Sequence, residues 1–445
     1  MKPFLFHAIM LSLCVGTTAG RIRSEEIPAS IKSETSDYIF NVGVATVDIT
    51  PAEEVTLAGS PSPQKTSSVD TPLFVKAMVI SVGEQTLAIV TLDTLKYPTD
   101  LALQTRKHIE ETTHIPASNI IICASHTHFG PLWSYYKDRL ITPIAKAVAL
   151  AVNDLTPCKI GTSKGKIEGV SRNRRVLIDG ECWNRWQVKP SERDTYPAAG
   201  PADPELVILA VVGKDGRYKA ILYNYACHPA NTRGAMISAD YPGHVQQYVQ
   251  EHLEYEVPTL FLLGSCGDVN PNYIKRRAIL GEKIGEEILE SLGRIEFIVR
   301  PTIGIESRKE ELPGRKHPEF NEEEVSLKWK GQLEHYRKAF EQMKQRQRPT
   351  CKAIFTGIRI GEEFAIVTNP VELFCEIGMS IKDRSHFKNT MVATLTNGDC
   401  GYVPTAKAFE VGGYETWYGE HSFLAFRTGE MIKGESLDML RQLEK

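Results

Sequence analysis

The stretch Asn119-Ile120-Ile121-Ile122-Cys123-Ala124-Ser125-His126-Thr127-His128-Phe129-Gly130-Pro131 joins a short apolar run to a polar turn that carries two histidines. A run this short, β-branched and closed by Gly-Pro, reads as a buried strand with a loop at its C-terminal end. The same pattern returns along the chain. Tyr218–Ala226 leads into Cys227-His228-Pro229, and Thr259–Leu263 into Gly264-Ser265-Cys266-Gly267-Asp268-Val269-Asn270-Pro271-Asn272. Phe364–Thr368 leads into Asn369-Pro370-Val371-Glu372, and Met391–Thr396 into Asn397-Gly398-Asp399-Cys400-Gly401-Tyr402. Five strands thus deliver polar segments just past their C-terminal ends, the edge at which α/β sheets bind ligands. Val75–Val82 and Thr86–Asp93, split by Gly83-Glu84-Gln85, read as a hairpin. Helices are expected from a Thr99 or Asp100 cap to His114, from Thr142-Pro143 to Asn153, and over Ala278–Leu292 before Gly293. The alternation predicts an α/β fold: a mixed β-sheet core flanked by helices, with an active site at the C-terminal ends of strands. No internal repeat is visible.

Composition narrows the function. With 445 residues, 42% of them hydrophobic, the chain can bury a large core without a metal or disulfide staple. Lys+Arg 52 against Asp+Glu 55 leaves −3, which argues against a nucleic-acid partner. Residues 1–20 combine Lys2, an apolar run from Phe4 to Val15 and Thr17-Thr18-Ala19-Gly20, the pattern of a signal peptide. Leu13 is too large before Cys14 for a lipoprotein box. Export predicts a secreted or periplasmic protein, with a polar leader at 21–40 and one domain over 41–445. No later segment has the continuous apolar length of a membrane span. Eight cysteines follow residue 20, with no CxxC pair. Cys123, Cys227 and Cys266 read as buried small hydrophobes, and pairing stays open.

Residues 306–349 are rich in charge and read as helical. Val325, Trp329, Leu333, Tyr336, Phe340 and Met343 form one apolar stripe, with Asn321 as cap, Glu324 at the capping-box position and Pro349 beyond the end. Such a helix packs on its own domain or touches a membrane surface.

On extended backbone the two imidazoles of His126-Thr127-His128 would share one face. They can hold one cation together, or one can bind it while the other contacts substrate. With His228 and Glu372 the loops supply the two nitrogens and one carboxylate of a hydrolytic zinc site with an open position. Asp268 reads equally as a residue tying its own turn.

Taken in series, these segments resemble the neutral/alkaline non-lysosomal ceramidase family, in its N-terminal catalytic domain. The matching landmarks are Val47-Asp48-Ile49-Thr50-Pro51, SHTHFGP at 125–131, Asn173-Arg174, Tyr225–Pro229 with Ile237–Gly243, GDVNPN at 267–272, Pro370-Val371-Glu372, Gly401-Tyr402-Val403 and Tyr414-Glu415. The resemblance implies a Zn²⁺ held by His126, His228, Glu372 and Tyr402. It implies that His128, Arg174 and Tyr414 surround the scissile amide and headgroup of a lipid or small-molecule N-acyl substrate.

Two departures modify that expectation. Asn270 stands where the family has a serine, and asparagine cannot attack an acyl carbon, although it can donate a hydrogen bond. Hydrolysis would then use zinc-activated water. Only about 25 residues follow His421, so the family's C-terminal β-sandwich domain is not expected within these 445 residues. Arg175 and Asn270, both in place of serine, suggest a more polar pocket. Three readings follow: a secreted zinc amidohydrolase acting on a ceramide-like lipid, a zinc hydrolase of a more polar amide or ester, and a pseudoenzyme that binds a lipid or small molecule without turnover.

Overall fold

The computed structural model describes residues 39–444, apart from 60–63, 231–233, 273–276, 317–320, 324–325, 327–332 and 347–349. The expected signal peptide, most of the leader, Glu324, Val325, Trp329 and Pro349 lie outside the described residues.

The larger sheet has nine strands. From one edge it runs Thr259–Leu263, Tyr218–Tyr225, Glu205–Val212, Thr156–Lys166, Phe40–Asp48, Phe74–Val82, Gln85–Leu92 and Ile120–Ala124, with Glu296–Phe297 also pairing Thr156–Lys166. The inner pairs are antiparallel and the two outermost pairs parallel, so the sheet is mixed. Its strands read as continuous apolar runs because both faces are covered. Met78 and Ile80 pack into one core cluster while Val75, Ala77 and Val79 of the same strand pack into another. This is the period-two alternation of a strand with two buried faces. Burying each such side chain is worth roughly 1.5–3 kcal/mol.

One unit occurs three times: an antiparallel hairpin, a helix, then a strand parallel to the second hairpin strand. The first is Phe74–Val82, Gln85–Leu92, Thr99–Thr113 and Ile120–Ala124. The second is Glu205–Val212, Tyr218–Tyr225, Tyr241–Leu253 and Thr259–Leu263. The third, in a separate four-stranded sheet, is Thr350–Ile360, Phe364–Thr368, Cys375–Arg384 and Asn389–Ala393. Apolar periodicity did not reveal it, because the three units share pairing geometry rather than sequence.

Residues 394–397 stitch the three units together. Thr394 N donates to Leu263 O (2.8 Å), Ala124 N to Leu395 O (3.2 Å) and Asn397 N to Ile122 O (2.8 Å). Asn397 Oδ1 accepts from Ile122 N at 2.9 Å. Leu395 and Asn397 hold positive φ, 46° and 58°, so the expected Met391–Thr396 strand ends at Ala393.

Other differences have local causes. The first helix starts at Thr99 behind Pro98, with no side-chain cap, and Asp100 sits in its first turn, where a carboxylate suits the helix dipole. The 306–349 segment opens as a strand, Ile303–Pro313, paired along its length with Thr350–Ile360. It is the outer strand of its sheet, so charges tolerated on a half-exposed edge imitated a helical face. The helix proper is Leu333–Arg346, where Tyr336 meets Trp417 (5.1 Å between rings) and Phe340 meets Tyr418 (5.8 Å). No helix among the described residues is long and apolar enough to cross a membrane. Cys351 and Cys400 form a disulfide, while Cys123, Cys227 and Cys266 are free and buried as expected. Burial pushes the Cys123 thiol up to about 11.

Candidate active site

The three units point their strand ends at one place. His126 follows Ile120–Ala124, His228 follows Tyr218–Tyr225, Asn270 follows Thr259–Leu263, Glu372 follows Phe364–Thr368 and Tyr402 follows Asn389–Ala393. The rings of His126 and His128 lie 4.9 Å apart, those of His126 and His228 4.8 Å, and those of His128 and His228 5.9 Å.

The two neighbouring histidines do not converge by extended geometry. His126 has φ 66°, so the segment turns. Thr127 between them points away, and its Oγ1 donates to Ser238 O at 2.6 Å. His128 N donates to Pro229 O at 3.1 Å, clamping this loop to the one carrying His228.

All three rings are fixed in the same sense. Nδ1 of His126 lies 2.7 Å from Leu95 O, Nδ1 of His128 3.0 Å from Gly59 O, and Nδ1 of His228 3.1 Å from Val269 O. A carbonyl oxygen only accepts, so each Nδ1 carries a proton, and a ring with that one proton has its lone pair at Nε2. These ring atoms gather within 4.8 Å of one another. Gly59 supports His128 because it has no side chain. Its φ is +78°, and a Cβ there would sit 2.5 Å from His128 Nδ1.

Glu372 closes the cluster. Its Oε2 lies 3.3 Å from His126 Nε2 and 3.4 Å from His228 Nε2. Tetrahedral zinc with bonds of about 2.0–2.1 Å puts neighbouring ligand atoms about 3.3–3.4 Å apart, so these spacings fit the ion. His126 Nε2, His128 Nε2 and Glu372 Oε2 are buried and have no hydrogen-bond partner. Three acceptors facing one point repel one another, and a cation reverses the sign of that interaction. Burial, then the Arg174 charge, lowers His228 to about 4, which keeps it neutral. Burial opposes ionisation of Glu372, but the charge that His126 and His228 bring when protonated outweighs it and holds the carboxyl well below its usual range.

Tyr402 stands beside Glu372 because the two are register partners in a short parallel ladder. Its backbone N–H is held by His421 O at 2.7 Å. The Tyr414 ring meets Tyr402 edge-on at 5.6 Å and stacks on His421 at 4.5 Å. Burial raises the Tyr402 hydroxyl well above the phenol range.

Opposite the histidines lies a wall of arginine. Arg174 Nη1 reaches His228 Nε2 and Asn270 Oδ1, each at 3.2 Å, and its guanidinium lies 5.3 Å from the Tyr402 ring. Its Nη2 is buried with no partner. Glu415, 0% exposed, grips Arg174 Nε with Oε1 and Arg175 Nη1 with Oε2, both at 2.7 Å.

Each residue proposed from sequence lies in this cluster: His126, His128, Arg174, His228, Asn270, Glu372, Tyr402 and Tyr414. Two roles change. Arg175 does not make the pocket polar. It is fully buried, and beyond Glu415 its Nη2 donates to Gly412 O at 2.7 Å, so the charge sits behind the site. Asp268 does not tie its own turn. Its Oδ2 accepts from Asn173 Nδ2 (2.6 Å) and its Oδ1 from Cys375 N (2.8 Å), linking the second and third units. Burial raises it to about 6. Glu415 was not foreseen as part of the site. It adjoins Tyr414, and a lone glutamate in a polar stretch reads as surface.

The profile of "Neutral/alkaline non-lysosomal ceramidase, N-terminal" matches residues 40–278. A relative, the neutral ceramidase of Pseudomonas aeruginosa, is 21% identical over 304 residues, covering 61% of this chain and 41% of its own length. The chain therefore matches less than half the length of that relative. Among solved structures, the neutral ceramidase from Pseudomonas aeruginosa superposes with a TM-score of 0.69 at 17% identity, over 91% of this chain and 74% of that one. A ceramidase complexed with C2 gives a TM-score of 0.70 at 16% identity, over 91% and 75%. At these identities the likeness establishes the fold, which is the mixed α/β arrangement described above. The profile spans more than half of the 445 residues, and the chain belongs to the neutral/alkaline non-lysosomal ceramidase family.

Proposed function

We propose that the chain is a zinc-dependent amidohydrolase that cleaves the N-acyl bond of a ceramide-like lipid, and that it works outside the cytoplasm, secreted or periplasmic. The observation that carries the reading is the set of inward Nε2 atoms, each fixed by an outward Nδ1–H to a backbone carbonyl, around the Glu372 carboxylate. Carbonyl partners of this kind are the usual orienting bonds behind metal-ligating histidines. Zinc, when bound, supplies a Lewis acid and a water acidic enough to react near neutral pH.

The chain's own residues do the rest. His126, His228, Glu372 and Tyr402 would hold the ion. His128 carries a proton to the leaving amine. The Arg174 guanidinium and the Tyr414 hydroxyl donate to the carbonyl oxygen as charge builds on it. Asn270, with Oδ1 taken by Arg174, presents its amide Nδ2 as a further donor. No side chain forms an acyl intermediate at position 270, because an amide is not a nucleophile. Export is supported by the pattern of residues 1–20 and by the Cys351–Cys400 disulfide, a bond favoured in oxidising compartments.

Metal analysis combined with hydrolysis of an N-acyl sphingoid base tests the reading. Stoichiometric zinc is expected, with activity lost on chelation and restored by zinc. Undiminished hydrolysis by metal-free protein would sink it. Turnover confined to soluble N-acetylated compounds would reassign the substrate, and lipid binding without turnover would mark a pseudoenzyme.

A further inference from the structure

Beside the arginine wall the surface carries a second cluster that the hydrolytic chemistry does not use. The strands Ser171–Asn173 and Val269–Pro271 pair antiparallel, with Asn270 opposite Arg172. Residues opposite one another in such a ladder, and residues two apart along it, share a face. Arg172 therefore faces the same way as Asn270, whose Oδ1 meets Arg174. Arg174 follows the end of this strand, two residues on from Arg172. Asn272 continues the face, and its Oδ1 accepts from Arg185 Nη1 at 3.3 Å. Arg185 is bonded through its backbone N to Arg174 O at 2.9 Å. Its neighbour Trp186 lies over the Arg174 guanidinium at 5.3 Å and meets Tyr414 at 6.1 Å. The cluster is thus continuous with the reacting centre.

Its charge is unbalanced. Arg172 Nη1 and Arg185 Nη2 both donate to one oxygen, Asp194 Oδ1, each at 2.6 Å. Arg193 stands close enough for its charge to act on Arg185. Two guanidinium groups share one carboxylate oxygen, Arg193 adds positive charge beside them while its Nε donates to Val188 O at 3.0 Å, and that carboxylate is 73% exposed. Arg185 is only 9% exposed, and its Nε is buried with no partner. Burial and then the Arg172 charge lower the Arg185 pKa, as expected for a cation short of counter-charge. The Asp194 oxygen marks a position that an oxyanion can occupy between two guanidinium forks.

We infer that Arg172, Arg185 and Arg193 form a recognition subsite for an anionic group on the substrate, a phosphate, sulfonate or carboxylate a few bonds beyond the scissile amide. The preferred substrate is then an acidic N-acyl amphiphile rather than a neutral one. The inference rests on the amidohydrolase reading for its chemistry, but binding at the subsite does not depend on turnover.

Two measurements separate the ideas. Metal-free protein is titrated calorimetrically with O-phosphoethanolamine and with ethanolamine. The phosphorylated compound is expected to bind at least about tenfold more tightly, and the margin should shrink as salt rises. Asp194→Asn should tighten binding of the phosphate several-fold, a gain that misfolding cannot produce. Arg172→Gln and Arg185→Lys, made separately, should each reduce it. Equal binding of the two compounds, or weaker phosphate binding by Asp194→Asn, overturns the subsite. In the second arm the zinc-loaded enzyme is offered an N-acylethanolamine and its O-phosphate with the same acyl chain. A kcat/KM ratio favouring the phosphate by about tenfold or more, collapsing towards one in Arg172→Gln, is expected. A wild-type ratio near one overturns the inference. If neither compound is hydrolysed, the amidohydrolase reading fails for this pair, and the binding arm alone decides the subsite.

Discussion

The two walls of the site are built on opposite principles. The histidine wall is held by neutral hydrogen bonds to backbone carbonyls of Leu95, Gly59 and Val269, which belong to the scaffold. In the arginine wall one side-chain carboxylate, that of Glu415, bridges the Arg174 and Arg175 charges. A carbonyl anchor survives loss of the ring it orients. A buried ion-pair network does not survive loss of its shared partner, because the remaining charges are stranded away from water. The first wall should therefore fail in function and the second in folding.

Removing His126 tests the first half most severely. His126→Ala should lose stoichiometric metal and reduce hydrolysis to background, while urea unfolding of metal-free protein moves by no more than about 1 kcal/mol. A large stability loss would break the comparison. His128→Ala should keep its metal and lose about 10²–10⁴ in kcat, the range of a missing general acid or base. Loss of metal in this variant would instead place His128 among the ligands, as its position in the three-histidine group allows.

On the other wall, Glu415→Ala should cost about 3–5 kcal/mol in denaturant unfolding, whatever the metal content. A well-folded but inactive variant would show that the arginines are solvated after all. Asp268→Asn has a smaller expected effect, about 1–3 kcal/mol, because an NH₂ would replace one of two oxygens that each receive an N–H. Its pH dependence sharpens the test. Asp268 titrates near 6 in the folded protein against an ordinary 3.8, so the native state holds this proton more tightly. The resulting stabilisation is present in full below pH 3.8 and is lost as pH rises through 6. The penalty of the substitution should thus be larger at pH 4.5 than at pH 7.

How far the sequence reveals such a site depends on which atoms do the holding. Strand ends were legible because apolar runs stop where polar loops begin, and the loops at 126–128, 228, 270, 372 and 402 named the groups that meet. The orienting partners were not legible. A backbone carbonyl such as Leu95 O leaves no trace in residue identity. Glu415 and Arg175 have the composition of surface residues and become interior only through contacts some 240 positions apart. The left-handed turn at His126 was also hidden, because nothing in His-Thr-His signals a φ of 66°. The charged strand Ile303–Pro313 misled in the reverse sense, since an edge strand obeys neither clean alternation nor helical spacing.

The bond from Tyr402 N to His421 O has a consequence for biosynthesis. Tyr402 is held by a residue that emerges after it, and Arg174 is clamped by a glutamate synthesised 241 residues later. The first and second ββαβ units can pair their strands and the histidines can find their carbonyl anchors while the ribosome is still working, yet the arginines lack their clamp. Contacts closed over such distances form late. An unfinished chain therefore carries its histidines and arginines without the carboxylate that clamps the latter, and the arginine wall closes only after Glu415 has been made.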